Sequence, residues 1–107
     1  MTAPQLTGTA AGSKGEARVR EKFSFTACAS KTTAGETDVF DSRNSLVGRI
    51  PNAHLENAEL TRQNVADTFA CFSEKLGFTP GTTDRAQRAT LNAAVARQLN
   101  VLVAVPQ

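Results

Sequence analysis

The only histidine of the chain, His54, has the side chain best suited to proton transfer near neutral pH. Glu56 and Glu59 follow it closely, so an imidazole and two carboxylates stand where they could hold a metal ion or move a proton. The spacing in HLENAE matches no known ligand pattern, and a solvated helix start explains the same three residues equally well. We therefore expect no metal ion and no catalytic residue here.

Nucleophilic and cofactor chemistry also lack a recognisable pattern in this sequence. There is no GxSxG elbow, and a second histidine that could complete a triad or a metal centre is missing. Cys28 and Cys71 stand far apart and form no CxxC or Cys/His group, which leaves zinc without a ligand set. We expect both cysteines to be buried, reduced thiols, and a disulfide between them is the alternative. The sequence thus predicts a protein that is not an enzyme and binds no cofactor.

A row of three cations offers a different kind of chemistry, the contact with phosphate groups. Arg18, Arg20 and Lys22 alternate with mostly apolar residues, and this alternation predicts a strand from Ala17 to Cys28 with one buried face. Neighbouring cations of the row then lie about 6.6 Å apart on the opposite face. A solvated outer face is the plainer interpretation. The alternative is a nucleic-acid-binding protein that uses this basic strand face.

The overall charge gives little support to a polyanion partner, since 12 basic and 10 acidic residues leave a net charge of +2.

The length predicts one domain over residues 16–107, preceded by a flexible arm over residues 1–15 that is rich in Thr, Ala, Gly and Ser. Neither a signal peptide nor an apolar run long enough for a membrane span is visible. We therefore expect no membrane partner and a cytoplasmic or virion-associated location.

The clearest element in the sequence is a helix between Leu60 and Pro80. Thr61 is placed to cap its start through the backbone amide of Asn64, and Gly77 is placed to end it in the left-handed conformation. The apolar stripe that should face the core recurs at helical spacing and comprises Val65, Phe69, Phe72 and Leu76. We expect both phenylalanines of this stripe to be core residues.

A β-hairpin precedes this helix. Its predicted strands and turn are Thr37–Phe40, Ser45–Ile50 and residues 41–44. Leu46, Gly48 and Ile50 share one predicted face of the second strand, because side chains alternate along a strand. Residues 52–59 predict a helical turn or a separate short helix that leads into the main helix.

The C-terminal third predicts a second helix over about residues 84–99, with Thr83 as a cap and Asp84 as an acid in the first turn. A short link joins it to the main helix, so the two should be antiparallel neighbours. The last residues, 101–105, form an apolar run that predicts a strand covered on both faces. This strand should either join the sheet beside the first strand or pair with another copy of the protein.

Together these elements predict an α+β fold in which a small, mostly antiparallel sheet packs against two C-terminal antiparallel helices. The strands carry more apolar surface than two alanine-rich helices can cover, so we expect a homo-oligomer. The residues expected at its interface are Val101, Leu102, Val103 and Val105.

The order of the elements, with strands first, a basic strand face and two helices last, resembles the layout of the coat proteins of small RNA phages. This resemblance implies a self-assembling component of a virion. The function predicted first is therefore a non-enzymatic, self-associating structural or interaction module. Nucleic-acid binding through Arg18, Arg20 and Lys22 is the alternative.

Overall fold

The computed structural model describes residues 23–79 and 84–105 of the chain. Its elements in chain order are β1 (Thr26–Ala29), β2 (Glu36–Phe40), β3 (Leu46–Pro51), α1 (Asn52–Asn57), α2 (Arg62–Lys75) and α3 (Arg85–Leu99). The strands pair in the order β1-β2-β3, and both pairings are antiparallel. The helices α2 and α3 pack against each other and against β1 and β3, respectively. The predicted α+β architecture is confirmed.

The first strand is shorter than the alternation predicts. Phe23 to Phe25 precede β1 without strand pairing, and residues 17–22, with the cation row, lie outside the described residues, as does the predicted arm. The predicted parity nevertheless holds where it can be seen. Phe23 is buried, and Phe25 and Ala27 pack against the core.

The turn between β2 and β3 is built by the side chain of Asp41, at the place where the sequence predicts it. Oδ1 of Asp41 accepts hydrogen bonds from the backbone amides of Arg43 and Ser45, both at 2.9 Å. Asn44 takes the left-handed conformation, with φ of 64°, that asparagine tolerates better than most residues. The hairpin is thus specified locally.

A β-bulge changes which residues of β3 face the core. Val39 pairs with Gly48 and Phe40 pairs with Leu46, so Val47 is the extra residue of the bulged strand. Val47 and Ile50 are fully buried, whereas Leu46 lies beside Phe40 on the outer face. The predicted common face of Leu46, Gly48 and Ile50 is therefore wrong for Leu46, because the bulge interrupts the alternation.

Helix α2 starts and stops as the sequence predicts. Thr61 and Asn64 form a reciprocal capping box, in which the Thr61 hydroxyl accepts from the Asn64 amide at 3.0 Å. At the other end Gly77 has φ of 74°, and the amide of Phe78 donates to the carbonyl of Ser73 at 3.0 Å. This is a Schellman ending, with glycine at the left-handed position.

The buried face of α2 is rotated away from the predicted stripe. Val65 and Phe69 are fully buried, but Phe72 is half-buried and Leu76 is 41% exposed. The residues of α2 that face the core are Val65, Ala66, Phe69, Ala70 and Ser73. The expectation that Phe72 is a core residue is thus corrected, because small residues allow α2 to approach its neighbours along a different line.

Helix α3 is capped by Asp84 itself, which accepts from the amide of Gln87 at 2.8 Å and so takes the role expected of Thr83. Leu91 and Val95, which lie one helical turn apart, are fully buried. Asn92 lies between them on the same side of the helix and is 1% exposed.

Asn92 joins α3 to the bulged strand. Its Nδ2 donates to the carbonyl oxygens of Val47 at 2.8 Å and of Arg88 at 2.6 Å. Gly48 has no side chain, and a Cβ there would collide with Oδ1 of Asn92 and lie 3.0 Å from Cζ of Phe69. Glycine inside the strand therefore makes room for the buried amide.

The C-terminal run does not form the predicted strand. Its pairing is a single antiparallel bridge, in which Ala104 exchanges two backbone hydrogen bonds of 2.9 Å with Arg49. The run therefore lies beside β3 and not beside the first strand. Leu102 is 64% exposed, so the segment is not covered on both faces.

Two phenylalanines of α2 should differ sharply in their contribution to stability. We expect Phe69→Ala to lower the free energy of unfolding by about 3–5 kcal/mol, because its ring is fully buried. Phe72→Ala should cost only about 1–2 kcal/mol, because part of its ring already contacts water. Urea denaturation of both variants measures the difference, and equal losses would contradict the rotated core face.

Gly48 and Asn92 should be energetically coupled. Gly48→Ala should destabilise the fold by about 1–3 kcal/mol, since the added methyl group collides with the Asn92 side chain. In an Asn92→Ala background the same change should cost less, with a coupling energy of about 0.5–2 kcal/mol. Urea denaturation of the four proteins of this cycle tests the contact, and strictly additive losses would rule it out.

Candidate protein-docking groove

His54, Glu56 and Glu59, which were considered for acid–base chemistry, do not form a site. His54 is half-buried in α1, while Glu56 and Glu59 are exposed. Across residues 23–79 and 84–105, no group of three or more histidine, cysteine or acidic side chains is placed to hold a metal ion.

The two cysteines are free thiols, but their predicted burial is wrong. Cys28 is half-buried on β1, and Cys71 is exposed on α2. The exposure of Cys71 follows from the rotation of α2, which turns this residue away from the core. Cys71 consequently belongs to a surface, not to the core.

That surface is one wall of a groove between α2 and the C-terminal end of α3. The groove has a volume of about 780 Å³. Its lining residues are Leu60, Asn64, Asp67, Thr68, Ala70, Cys71, Phe72, Glu74, Lys75, Gln98 and Leu99. We call this feature the α2 groove. Most of its wall comes from a single helix, so its chemistry is set by one face of α2.

Cys71 occupies the centre of that helix face. Asp67 and Lys75 lie one turn before it and one turn after it, since residues four apart are neighbours on a helix surface. Half-buried Phe72 borders the face on one side, and on the other side the face ends at the buried, core-facing Ala70. The face thus has an uncharged centre, with Asp67 towards one end and both Glu74 and Lys75 towards the other.

Local contacts hold the charged side chains of the groove near the helix. Nζ of Lys75 lies 5.4 Å above the centre of the Phe72 ring, a cation–π arrangement that also covers part of the ring. Asp67 accepts a hydrogen bond of 2.9 Å from the Gln63 amide. Asp67 and Lys75 thus each make a contact within their own helix.

The outer face of the sheet carries a second, smaller pocket of about 390 Å³. Cys28, Asp38 and Arg49 lie side by side across its floor, because they are register partners on three adjacent strands. Nε of Arg49 donates to Oδ1 of Asp38 at 2.7 Å. This hydrogen bond raises the pKa of the Arg49 guanidinium above its ordinary value. The pair neutralises itself, which makes this pocket a poorer site for a charged ligand than its arginine alone would indicate.

The residues predicted for an oligomer interface are divided between core and surface. Val101 is buried, and Val103 packs against the core of its own chain. Leu102 is exposed and Val105 is half-buried. Val101 and Val103 thus already pack within their own chain. The segment therefore does not present a continuous apolar strand to a partner.

Comparison of the chain with protein-family models, with curated proteins and with solved structures returned no match. Within the described ranges, none of the helices combines the length and apolar character that a membrane span requires. The function must therefore be inferred from the geometry of the chain itself.

Reasoning from the sequence missed the α2 groove because it assigned Phe72 and Leu76 to the core. One signal could have located the boundary of the buried face. Ala66, Ala70 and Ser73 recur at helical spacing and form a row of small residues on which other elements can pack closely. If that row of small residues faces the core, Cys71 lies on the opposite, outer side of the helix.

Proposed function

We propose that this protein is a non-enzymatic interaction module that self-associates through the α2 groove. One observation carries the proposal: the groove is lined by large apolar side chains that a single chain leaves partly uncovered. Leu60, Phe72 and Leu99 are all half-buried in its walls. A contiguous apolar surface with a polar rim is typical of a protein–protein contact.

A second copy of the chain is the occupant that the charges of the groove favour. The α2 face carries Asp67 and Glu74 together with Lys75, so the same surface offers both signs of charge. A surface with both signs can complement itself across a two-fold axis, as the isologous interface of a homodimer requires. A partner of one strong charge would instead meet repulsion from part of this rim.

Self-association also agrees with the modest core of the domain. The fully buried large side chains include one phenylalanine, Phe69, and otherwise mainly valine, leucine and isoleucine. A domain of this size gains stability from any apolar surface that a partner covers. This proposal moves the expected interface from residues 101–105 to the α2 groove.

The proposal predicts a concentration-dependent mass and a specific loss of association. The 11.3-kDa chain should sediment as a dimer at high concentration and as a monomer on dilution. Cys71→Asp should weaken the dimer at least about tenfold, because it places two like charges at the centre of the interface. Ala89→Asp is the matched control, since Ala89 is exposed on α3 and does not line the groove.

Thiol reactivity gives an independent measure of the same contact. In a Cys28→Ser background, Cys71 should react quickly with a maleimide in dilute protein and several-fold more slowly in concentrated protein. Circular dichroism checks that each variant remains folded. A monomer mass at every concentration, with constant Cys71 reactivity, would overturn the proposal.

Nucleic-acid binding across the outer face of the sheet is the second candidate. Thr26 and Cys28, which continue the parity of the predicted cation row, line the outer-face pocket together with Lys31 and Arg49. In this case the affinity for nucleic acid, measured by mobility shift, should be high at low salt and should fall steeply as salt is added. Binding should be lost when Arg18, Arg20 and Lys22 are replaced by serine. Weak binding that the triple replacement leaves unchanged would exclude this candidate.

A further inference from the structure

The three-stranded sheet has two edges, and within the described residues the chain covers only one of them. At the β3 edge, Arg49 exchanges two backbone hydrogen bonds of 2.9 Å with Ala104. The carbonyl oxygen of Val47 on the same strand accepts from Asn92 at 2.8 Å. At the other edge, which we call the β1 edge, no segment of the described ranges pairs with the outer side of β1.

We propose that the β1 edge pairs antiparallel with the β1 edge of a second copy, around a two-fold axis at Cys28. The two sheets then continue into each other through main-chain hydrogen bonds. This inference goes beyond self-association through the α2 groove, because it names a second surface that recognises its partner by backbone groups. A contact between two strands of 4 residues is small, so it should join groove dimers at concentrations above those at which they form.

The hydrogen-bond pattern of the sheet determines which backbone groups of β1 face the open edge. In an antiparallel pair, residues that exchange backbone hydrogen bonds alternate with residues that do not. The amide of Ser30 donates to the carbonyl of Glu36 at 2.9 Å, one position beyond the β1–β2 register. The even-numbered residues of β1 therefore bond to β2. The amides and carbonyls of Ala27 and Ala29 are directed at the open edge.

The opposite side of the sheet gives the same pattern independently. Arg49 directs both its backbone groups at Ala104, so its pairing with Asp38 on β2 involves no backbone hydrogen bonds. The backbone groups of Asp38 are thus directed towards Cys28, its register partner on β1. Cys28 consequently uses its own amide and carbonyl within the sheet, whereas its two alanine neighbours do not.

The β1 edge has none of the features that usually prevent the addition of a strand. Edge strands are commonly protected by a charged residue, a proline or a bulge. Residues 23–30 contain no charged residue and no proline, and the register of β1 with β2 is continuous. Ala29 is exposed and carries only a methyl group. A second strand can therefore reach its backbone.

A second copy of β1 is the occupant that the sequence of this strand favours. Residues of the same kind lie at equal distances before and after Cys28, first an alanine and then a hydroxyl residue. An axis at Cys28 sets Ala27 opposite the partner's Ala29, and it sets Thr26 opposite the partner's Ser30. Each pair of alanines then exchanges two backbone hydrogen bonds. Every open backbone group of β1 thus has a partner, and the paired strands bring no like charges together.

Cys28 provides a direct test of this register. At the axis it lies opposite the partner's Cys28 in a pair without backbone hydrogen bonds, where the two Cα atoms are about 4.5 Å apart. A disulfide can span that distance. In a Cys71→Ser background, oxidation by copper–phenanthroline should therefore join two copies through Cys28, with the two thiols giving up two protons and two electrons to the oxidant.

Thr26→Cys, in a background of Cys28→Ser and Cys71→Ser, is the matched control. Position 26 is exposed and lies on the same outer face as Cys28. It stands two residues from the axis, so it lies about 13 Å along the strands from its own copy in the partner. It should form a disulfide at least about tenfold more slowly than Cys28, because a disulfide cannot span that distance. Similar rates for the two positions would overturn the register.

Removal of an edge amide tests the hydrogen bonds. Ala29→Pro deletes an amide that faces the open edge and leaves the bonds between β1 and β2 in place, so the single chain should stay folded. The contact loses half of its backbone hydrogen bonds, so the Cys28 disulfide should form about tenfold more slowly. Ala29→Ser keeps the amide and is the matched control. Equal rates for the two variants, both folded by circular dichroism, would contradict the edge contact.

The outcomes for the β1 edge and for the α2 groove can be distinguished. Cys71→Asp should weaken the groove dimer, but it leaves β1 unchanged and should not slow the joining of Cys28. If Cys28 is not joined in the folded protein while Cys71→Asp still lowers the mass, the edge contact is wrong and the proposed function stands. If Cys28 is joined but Cys71→Asp leaves the mass unchanged, the edge contact stands and the groove is not the interface.

Discussion

The placement of α3 on the sheet depends on the contact between Asn92 and the bulged strand β3. The buried amide donates hydrogen bonds of 2.8 Å and 2.6 Å to two carbonyl oxygens, one on β3 and one on its own helix. Each such bond contributes about 1 kcal/mol net, but a buried polar group left without partners costs more than that. Gly48 makes the approach possible because it leaves the space beside the amide empty. The β-bulge at Val47, Gly48 and Asn92 therefore form one contact, in which each depends on the other two.

The groove is a consequence of this packing. Once α3 is held against β3, its C-terminal residues Gln98 and Leu99 stand opposite α2 and form the second wall. The orientation of α2 follows from Phe69, whose ring centre lies 5.7 Å from that of Phe25 beside β1. With Phe69 directed inwards, the face centred on Cys71 must point away from the sheet. One helix thus provides both a core face and the main wall of the groove.

Titratable side chains and exposed apolar surface lie in different parts of the described structure. His54 lies on α1, whereas Cys28 and the buried Asp38 are neighbours on the sheet, where Asp38 forms an ion pair with Arg49. By contrast, the α2 face combines apolar area, opposite charges and an ordered helix backbone in one place. This combination suits the self-association proposed above.

The sequence alone determined the features that depend on neighbouring residues. The capping box at Thr61, the glycine ending at Gly77, the hairpin turn at Asp41 and the α+β order of elements could all be predicted, because each arises from contacts within a few positions of the chain. Only the tertiary structure decided which side of α2 is buried. Periodicity identifies an apolar stripe, but it does not show which side of the helix the neighbouring elements contact. Phe72 and Leu76 therefore could not be assigned to the surface in advance.

The same distinction explains two departures from the predicted strands, both of which involve β3. The bulge at Val47 moves Leu46 to the outer face, and it is stabilised by Asn92, a residue far along the chain. The C-terminal run has strand propensity, yet Val101 enters the core and Ala104 alone pairs with Arg49. Propensity is a local energy of about 1 kcal/mol or less per residue, and burial of a whole side chain outweighs it. Long-range packing therefore decided both the exposed face of the sheet and the groove that α2 presents.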